Sequence, residues 1–141
     1  MNEQYRELLF IDLCGRVPYE VIVCIDGTTN VKLASVSYWE EVEVQDGSRY
    51  LYDIADIKPY LFPLSSMTEE QKYDFYCRFI ENDCDFDDFK EFYLDNGMWH
   101  KLLTSFDDIE AIIDWFHKNH FDWRGLIPMG LAIDATGLNI Y

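Results

Sequence analysis

The chain has 141 residues, 49% hydrophobic and 17% aromatic, which is ample for the core of one ordinary domain and the wrong composition for a disordered acidic tail. Against 11 basic residues stand 27 acidic ones, a net charge of -16, which argues against direct nucleic-acid binding and against anionic membrane surfaces, since both draw on Lys and Arg. The sequence shows no leader with a basic and then an apolar region and no apolar run of membrane-spanning length, so the expected location is the cytoplasm.

The first predicted element is a helix over Glu3 to Leu13, with Tyr5, Leu8, Leu9 and Leu13 at helical spacing and Gly15 ending it; a strand over Leu8 to Leu13 is the competing reading. From Pro18 the pattern changes. "YEVIVCIDG" is β-branched and closes on Asp26-Gly27, a tight-turn dipeptide; "VKLASVSYW", "EEVEVQDG" with Asp46-Gly47, and "SRYLYDIADI" follow. Four short strands with these turns predict a small antiparallel, SH3-like sheet or barrel. Pro59 and Pro63 are expected to stop the ladder, because proline has no amide donor.

A helical regime begins near residue 66. Ser66 with Glu69, and Thr68 with Gln71, fit the capping box, and Tyr73, Tyr76, Cys77 and Ile80 are the expected apolar stripe. A second helix over Asp85 to Asp95 would bury Phe86, Phe89 and Tyr93 and end at Asn96-Gly97. A third starts at Ser105, capped with Asp108, and carries Ile109, Ile112, Ile113 and Phe116. The expectation is one α+β domain over residues 1–141: an N-terminal helix, the sheet within a β-rich half at about 17–63, then three to four short helices within a helical half at about 66–131.

Four groups of residues invite chemistry. In Glu81, Asp83, Asp85, Asp87 and Asp88 the alternating acids resemble the opening of a calcium loop, but counting from Asp83 puts Asp88 where glycine should turn and Leu94 where a bidentate glutamate should bind. The plainer reading is a solvated acidic surface. His117 and His120, three apart with Asp122 beyond, suit one helical face, yet no third nitrogen or thiolate is near in sequence and His100 is isolated; the plainer role is a charged histidine at the negative end of a helix. Asp122 reads as the N-cap of a small helix over "WRGLIPMG", with Gly130 and Leu131 as its left-handed stop and Arg124 pairing with a carboxylate. For nucleophilic catalysis the sequence offers Cys14, near Asp12 and Arg16, and several serines, none of them in a G-x-S-x-G elbow. Cys14, Cys24, Cys77 and Cys84 show no C-x-x-C spacing, so reduced and mostly buried thiols are expected, with no metal and no cofactor.

Three segments, "LLFIDLCGRVPYEVIV" at Leu8 to Val23, "DIKPYLFPLSSMTEEQK" at Asp56 to Lys72 and "NHFDWRGLIPMGLAID" at Asn119 to Asp134, together resemble a widespread set of small proteins, of uncharacterised activity, carried by gut anaerobic bacteria and their phages or mobile elements. In that set glycine stands at Glu20, arginine at Phe62, histidine at Asn119 and often tyrosine at Trp123. The resemblance implies a phage- or mobile-element-linked accessory protein. With glutamate at position 20, no glycine-dependent backbone geometry is expected there.

Two classes of function follow. The leading expectation is a non-enzymatic acidic binding protein that modulates a cytosolic host component. Its partner would be a basic protein surface, in the sharpest form a nucleic-acid-binding protein met by carboxylates standing in for phosphates. Residues 68–122 hold 15 acids and 5 bases against 11 and 5 in residues 1–67, so the acidic surface over Glu81 to Asp88 is the expected binding face. The alternative is a small hydrolase-like enzyme using Cys14 or the group His117, His120 and Asp122. A peptide groove lined by Tyr38, Trp39, Tyr50 and Tyr52 is a third option, although aromatics at this density read first as packing residues.

Overall fold

A computed structural model describes residues 1–105 and 108–141. The architecture is α+β, in two compact units: Met1–Pro63 with His117–Tyr141, and Leu64–Phe116. The return of residues 117–141 to the sheet unit gives the helical half an earlier end than the sequence pattern had.

The sheet unit opens with helix α1, Glu3–Arg16, whose first turn is held by the Asn2 side chain accepting from the Tyr5 amide. The helix, not the competing strand, forms. It also runs through Gly15. That glycine is not in the left-handed region, so it is no terminator; a Cβ there would lie 2.7 Å from His117 Cε1. Close approach of the imidazole, not chain reversal, requires the glycine. The reverse holds at Glu20, which has φ 56 and ψ 42 after a short 3-10 turn over Val17–Tyr19. Left-handed geometry is thus present at the position where it was not expected.

Strands β1 (Ile22–Ile25), β2 (Thr29–Val36), β3 (Glu41–Val44) and β4 (Leu51–Asp53) match the four expected strands. Asp26 and Gly27, at φ 52 and 75, make the first hairpin turn in the mirror-image geometry that fits strand twist. Val42 and Val44 are buried while Glu41 and Glu43 are partly exposed, the alternation that the sequence carried. Two further strands were not expected: β5 (Ile57–Leu61), antiparallel to β1, and β6 (Ile133–Asp134), parallel to β5. Pro59 lies inside β5. The Asp26 amide donates to Asp56, so in alternation Val23 and Pro59 fall at a non-hydrogen-bonded pair, and pairing to β6 begins only at Tyr60. The missing proline donor is needed by neither neighbour. The order β4-β3-β2-β1-β5-β6 leaves β4 and β6 as outer strands, so the sheet stays open and the barrel alternative does not form.

Leu9 and Leu13 of α1 meet Val23, Leu33, Val42 and Ile57 of the sheet in the core. Residues 122–131 close over it without a helix. Both Asp122 oxygens accept amides, from Leu126 and Ile127 at 2.8 Å, and the turn ends with Leu131 donating to Leu126 and Gly130 to Ile127. The left-handed stop at Gly130 therefore exists, but on a single turn and not on the expected small helix.

In the helical unit, α2 (Glu69–Phe75) carries the capping box of Thr68 and Gln71. It then widens into a π-helical stretch, Tyr76–Ile80, in which the Glu81 amide reaches the Tyr76 carbonyl five residues back. That change of period reshapes the expected stripe: Ile80 is buried as expected, but Phe75 takes the buried place beside it, and Tyr73 and Cys77 are exposed. Helix α3 (Phe86–Phe89) is capped by Asp85 and widens likewise over Lys90–Asp95 before Gly97. Two short helices complete the set, α4 (Leu102–Ser105) and α5 (Ile109–Lys118). Ser105, expected to start the third helix, is the last residue of α4; α5 begins at Ile109, with the Asp108 carbonyl accepting from Ile112. Phe75 is the hub of the unit's core, stacked on Phe116 at 5.6 Å and on Phe89 at 5.8 Å, with Trp115 edge-on at 5.0 Å.

Candidate functional site

The sequence placed its catalytic alternative on Cys14 and on His117, His120 and Asp122. All four lie in the sheet unit, and three of them are engaged in packing or hydrogen bonding. Asp12 and Arg16, one turn apart on α1, form a fully buried pair with Arg16 Nε 2.7 Å from the carboxylate. Arg16 Nη2 also donates to the Phe121 carbonyl at 2.8 Å, and Arg124 reaches the same Asp12 at 3.2 Å, as expected of an arginine pairing with a carboxylate. Two guanidiniums thus share one carboxylate. Arg16 Nη1 is buried without a hydrogen-bond partner among the described residues.

His117 packs against Gly15, and its Nε2 accepts from Trp123 Nε1 at 2.9 Å. Burial first, and then the positive charge of Arg16, push its pKa down to about 4; the same two causes put His120 at about 4. Both are therefore neutral at pH 7, a correction to the charged helix-end role, because desolvation outweighs attraction to the helix terminus. His120 adopts φ 61 and stacks on Tyr141 at 3.8 Å, on the far side of the chain reversal that ends α5. Among the described residues no three of His, Cys, Asp and Glu converge as a metal-binding group. Cys14 is exposed as a residue, and partial desolvation of its thiol raises its pKa, which does not favour a thiolate. Of the four cysteines only Cys24 is buried, so the expectation of mostly buried thiols fails.

The acids Glu81, Asp83, Asp85, Asp87 and Asp88 are all exposed in the helical unit. Asp85 caps α3, and Asp87 lies 3.9 Å from Lys90. They form an exposed charged face.

A concave site lies on the sheet unit, on aromatics of the third option, the peptide groove, which the sequence read first as packing residues. Tyr38, Trp39 and Tyr50 are 83%, 75% and 62% exposed. Trp39, Tyr50 and Tyr52 line an open groove of about 480 Å3 together with Asp26, Glu41 and Asp56. The rings are braced in edge-to-face pairs, Tyr38 with Trp39 at 5.3 Å and Tyr50 with Tyr52 at 4.8 Å. Strand pairing sets Glu41 directly opposite Asp53, two like charges at cross-strand distance. Arg6 takes up Asp53 with two hydrogen bonds of 2.9 Å and, with Asp53 as its main partner, lowers that carboxyl's pKa. Asp26, Glu41 and Asp56 make no ion pair among the described residues. A second groove of about 310 Å3 adjoins the first through Asp26 and Asp56 and is lined further by Cys24, Ala55, Lys58 and Ile133. The sequence signal for the site was the overlap of "SYWEE" and "RYLYD", which bring exposed rings and acids to neighbouring strands. Only the pairing of β3 with β4 brings them together. No protein family matches the chain, and neither a curated protein nor a solved structure matches it.

Proposed function

We propose that the chain is a non-enzymatic binding protein whose partner presents a basic protein surface. One observation carries this reading: solvent-exposed aromatic rings and carboxylates without ion-pair partners share one groove. Solubility alone accounts for acids on a surface. It does not account for Trp39 and Tyr50 beside them, since exposed aromatics in a concave patch mark contact sites. The net charge of -16 then speeds encounter with a cationic partner, and the face over Glu81 to Asp88 adds to that field. The role that fits is an accessory modulator of a cytoplasmic host component, carried by a phage or mobile element, with carboxylates replacing phosphates in a nucleic-acid-binding protein as its sharpest form.

The test is affinity capture from a bacterial lysate at about 0.1 M and about 1 M salt, between which the Debye length falls from about 10 Å to about 3 Å. The expected catch is enriched in basic proteins and lost at high salt. A catch with no bias toward basic proteins, unchanged by salt, makes the acidity a solubility feature and the reading wrong.

A further inference from the structure

We infer that the aromatic and acidic groove takes the side chain of a lysine or arginine on an extended basic peptide segment, and that this segment continues into the adjoining groove. The inference rests on the binding reading above and names its ligand.

The cation is argued from charge complementarity. Directly opposed carboxylates on paired strands repel, and Arg6 offsets only one partner of the Glu41 and Asp53 pair. Glu41 therefore keeps a negative charge at the groove wall, with Asp26 and Asp56 also unneutralised by any described ion pair. A second cation placed there relieves the repulsion. The rings argue for a particular kind of cation. Trp39 and Tyr50, both largely exposed, offer aromatic surface that attracts a Lys or Arg head and covers its methylene stem, which a hydrated metal ion does not need, while Tyr52, packed on the core, braces Tyr50 from below. The occupant exceeds one amino acid, because Asp26 and Asp56 belong to both grooves and the second presents Ala55, Cys24 and Ile133 to a neighbouring apolar residue. Lys58 at that second groove disfavours another basic residue there. The ligand is thus a segment in which a basic residue precedes or follows an apolar one.

Fluorescence anisotropy with labelled short peptides tests this. The probes are one peptide with a central Arg-Leu pair, one with Glu-Leu in its place, and one with Arg-Glu. Arg-Leu should bind tightest. Trp39→Ala should weaken it by roughly threefold to thirtyfold, the span of a cation–π contact from exposed to desolvated. Glu41→Gln should weaken it as well, and Glu7→Gln, an exposed acid on α1 that lines neither groove, should leave it unchanged. Thermal midpoints of the variants report folding, and the exposure of Trp39 makes its removal a surface change. If Arg-Leu binds no better than Glu-Leu, or if Trp39→Ala and Glu41→Gln leave its affinity unchanged, the inference is wrong. Should that occur while lysate capture still returns basic proteins in a salt-dependent way, the binding reading survives with its site elsewhere. If capture also fails, both fall.

Discussion

In the sheet unit four polar or charged side chains, Asp12, Arg16, His117 and Asp122, are buried; among the described residues of the helical unit none is. The helical unit instead gathers rings around Phe75, and none of its described acids and bases is buried. The two units are thus held by different physics. Ring packing uses no charged group, so the helical unit's described acids remain at liberty to act as a field. Hydrogen-bonded charges in a dry interior demand fixed partners, so the polar residues of the sheet unit position α1 and the 122–131 turn and are not spare for chemistry. It also follows that a cluster of His, Asp and Arg in sequence is weak evidence for catalysis, whereas rings left outside a packed sheet are informative.

The sharpest way to break this comparison is to remove one partner on each side. Asp12→Ala leaves Arg16 buried beside Arg124 without its carboxylate and should cost about 3–5 kcal/mol. Phe75→Ala should cost a similar amount, about 3–5 kcal/mol, through lost packing. The double replacement Asp12→Leu with Arg16→Met should separate the two mechanisms, since it restores packing without charge. Chemical denaturation in which Asp12→Ala alone proved harmless would show that the cluster is not what holds α1.

Acid should act on the sheet unit next most strongly. The folded values of His117 and His120 lie at about 4, below the unfolded value of about 6.5. In that window the unfolded chain holds more protons than the folded one, so stability is present above about 6.5 and lost as pH falls through about 4, by up to roughly 3 kcal/mol for each histidine. Relief of the net negative charge acts in the opposite direction. His117→Asn should remove part of the loss, and amide exchange should show the acid effect at α1 and the 122–131 turn. A stability profile flat from about 6.5 to about 4 in the unaltered protein would contradict the burial of neutral imidazoles.

Smaller effects sharpen the picture. Asp122→Ala removes acceptors from two amides and should cost about 1–3 kcal/mol. Asn, with a single carbonyl oxygen to offer, should restore only part of it. Smallest of all, Glu20→Gly should stabilise by roughly 1 kcal/mol, because a residue with a Cβ carries a penalty of about 1–2 kcal/mol in the left-handed region and glycine's extra chain entropy takes some of that back. Loss of stability on that change would mean that the Glu20 side chain, 3.5 Å from Lys32, outweighs its backbone strain.

Local grammar in the sequence determined much of this protein. The helix of α1, the four strands with their Asp-Gly turns, the Thr68 capping box and the Gly130 stop all follow from residues within a few positions of one another, where hydrogen-bond geometry and side-chain period act directly. The acidic balance is a property of composition and was equally legible. Tertiary structure alone decided the rest, because each remaining feature depends on residues far apart in the chain. Pro59 is tolerated in β5 because of how β1 and β6 are registered against it. Gly15 matters because His117 arrives from another element, and the buried Asp12, already paired with Arg16 one turn away, gains Arg124 from 112 residues along the chain. Phe75 and Ile80 share a face because the helix widens between them, which no fixed period anticipates. Trp39 and Tyr50 are left outside because they stand just before β3 and the outer strand β4 and not within them, and an aromatic residue in sequence carries no mark of where a strand will begin or which strand will be the edge.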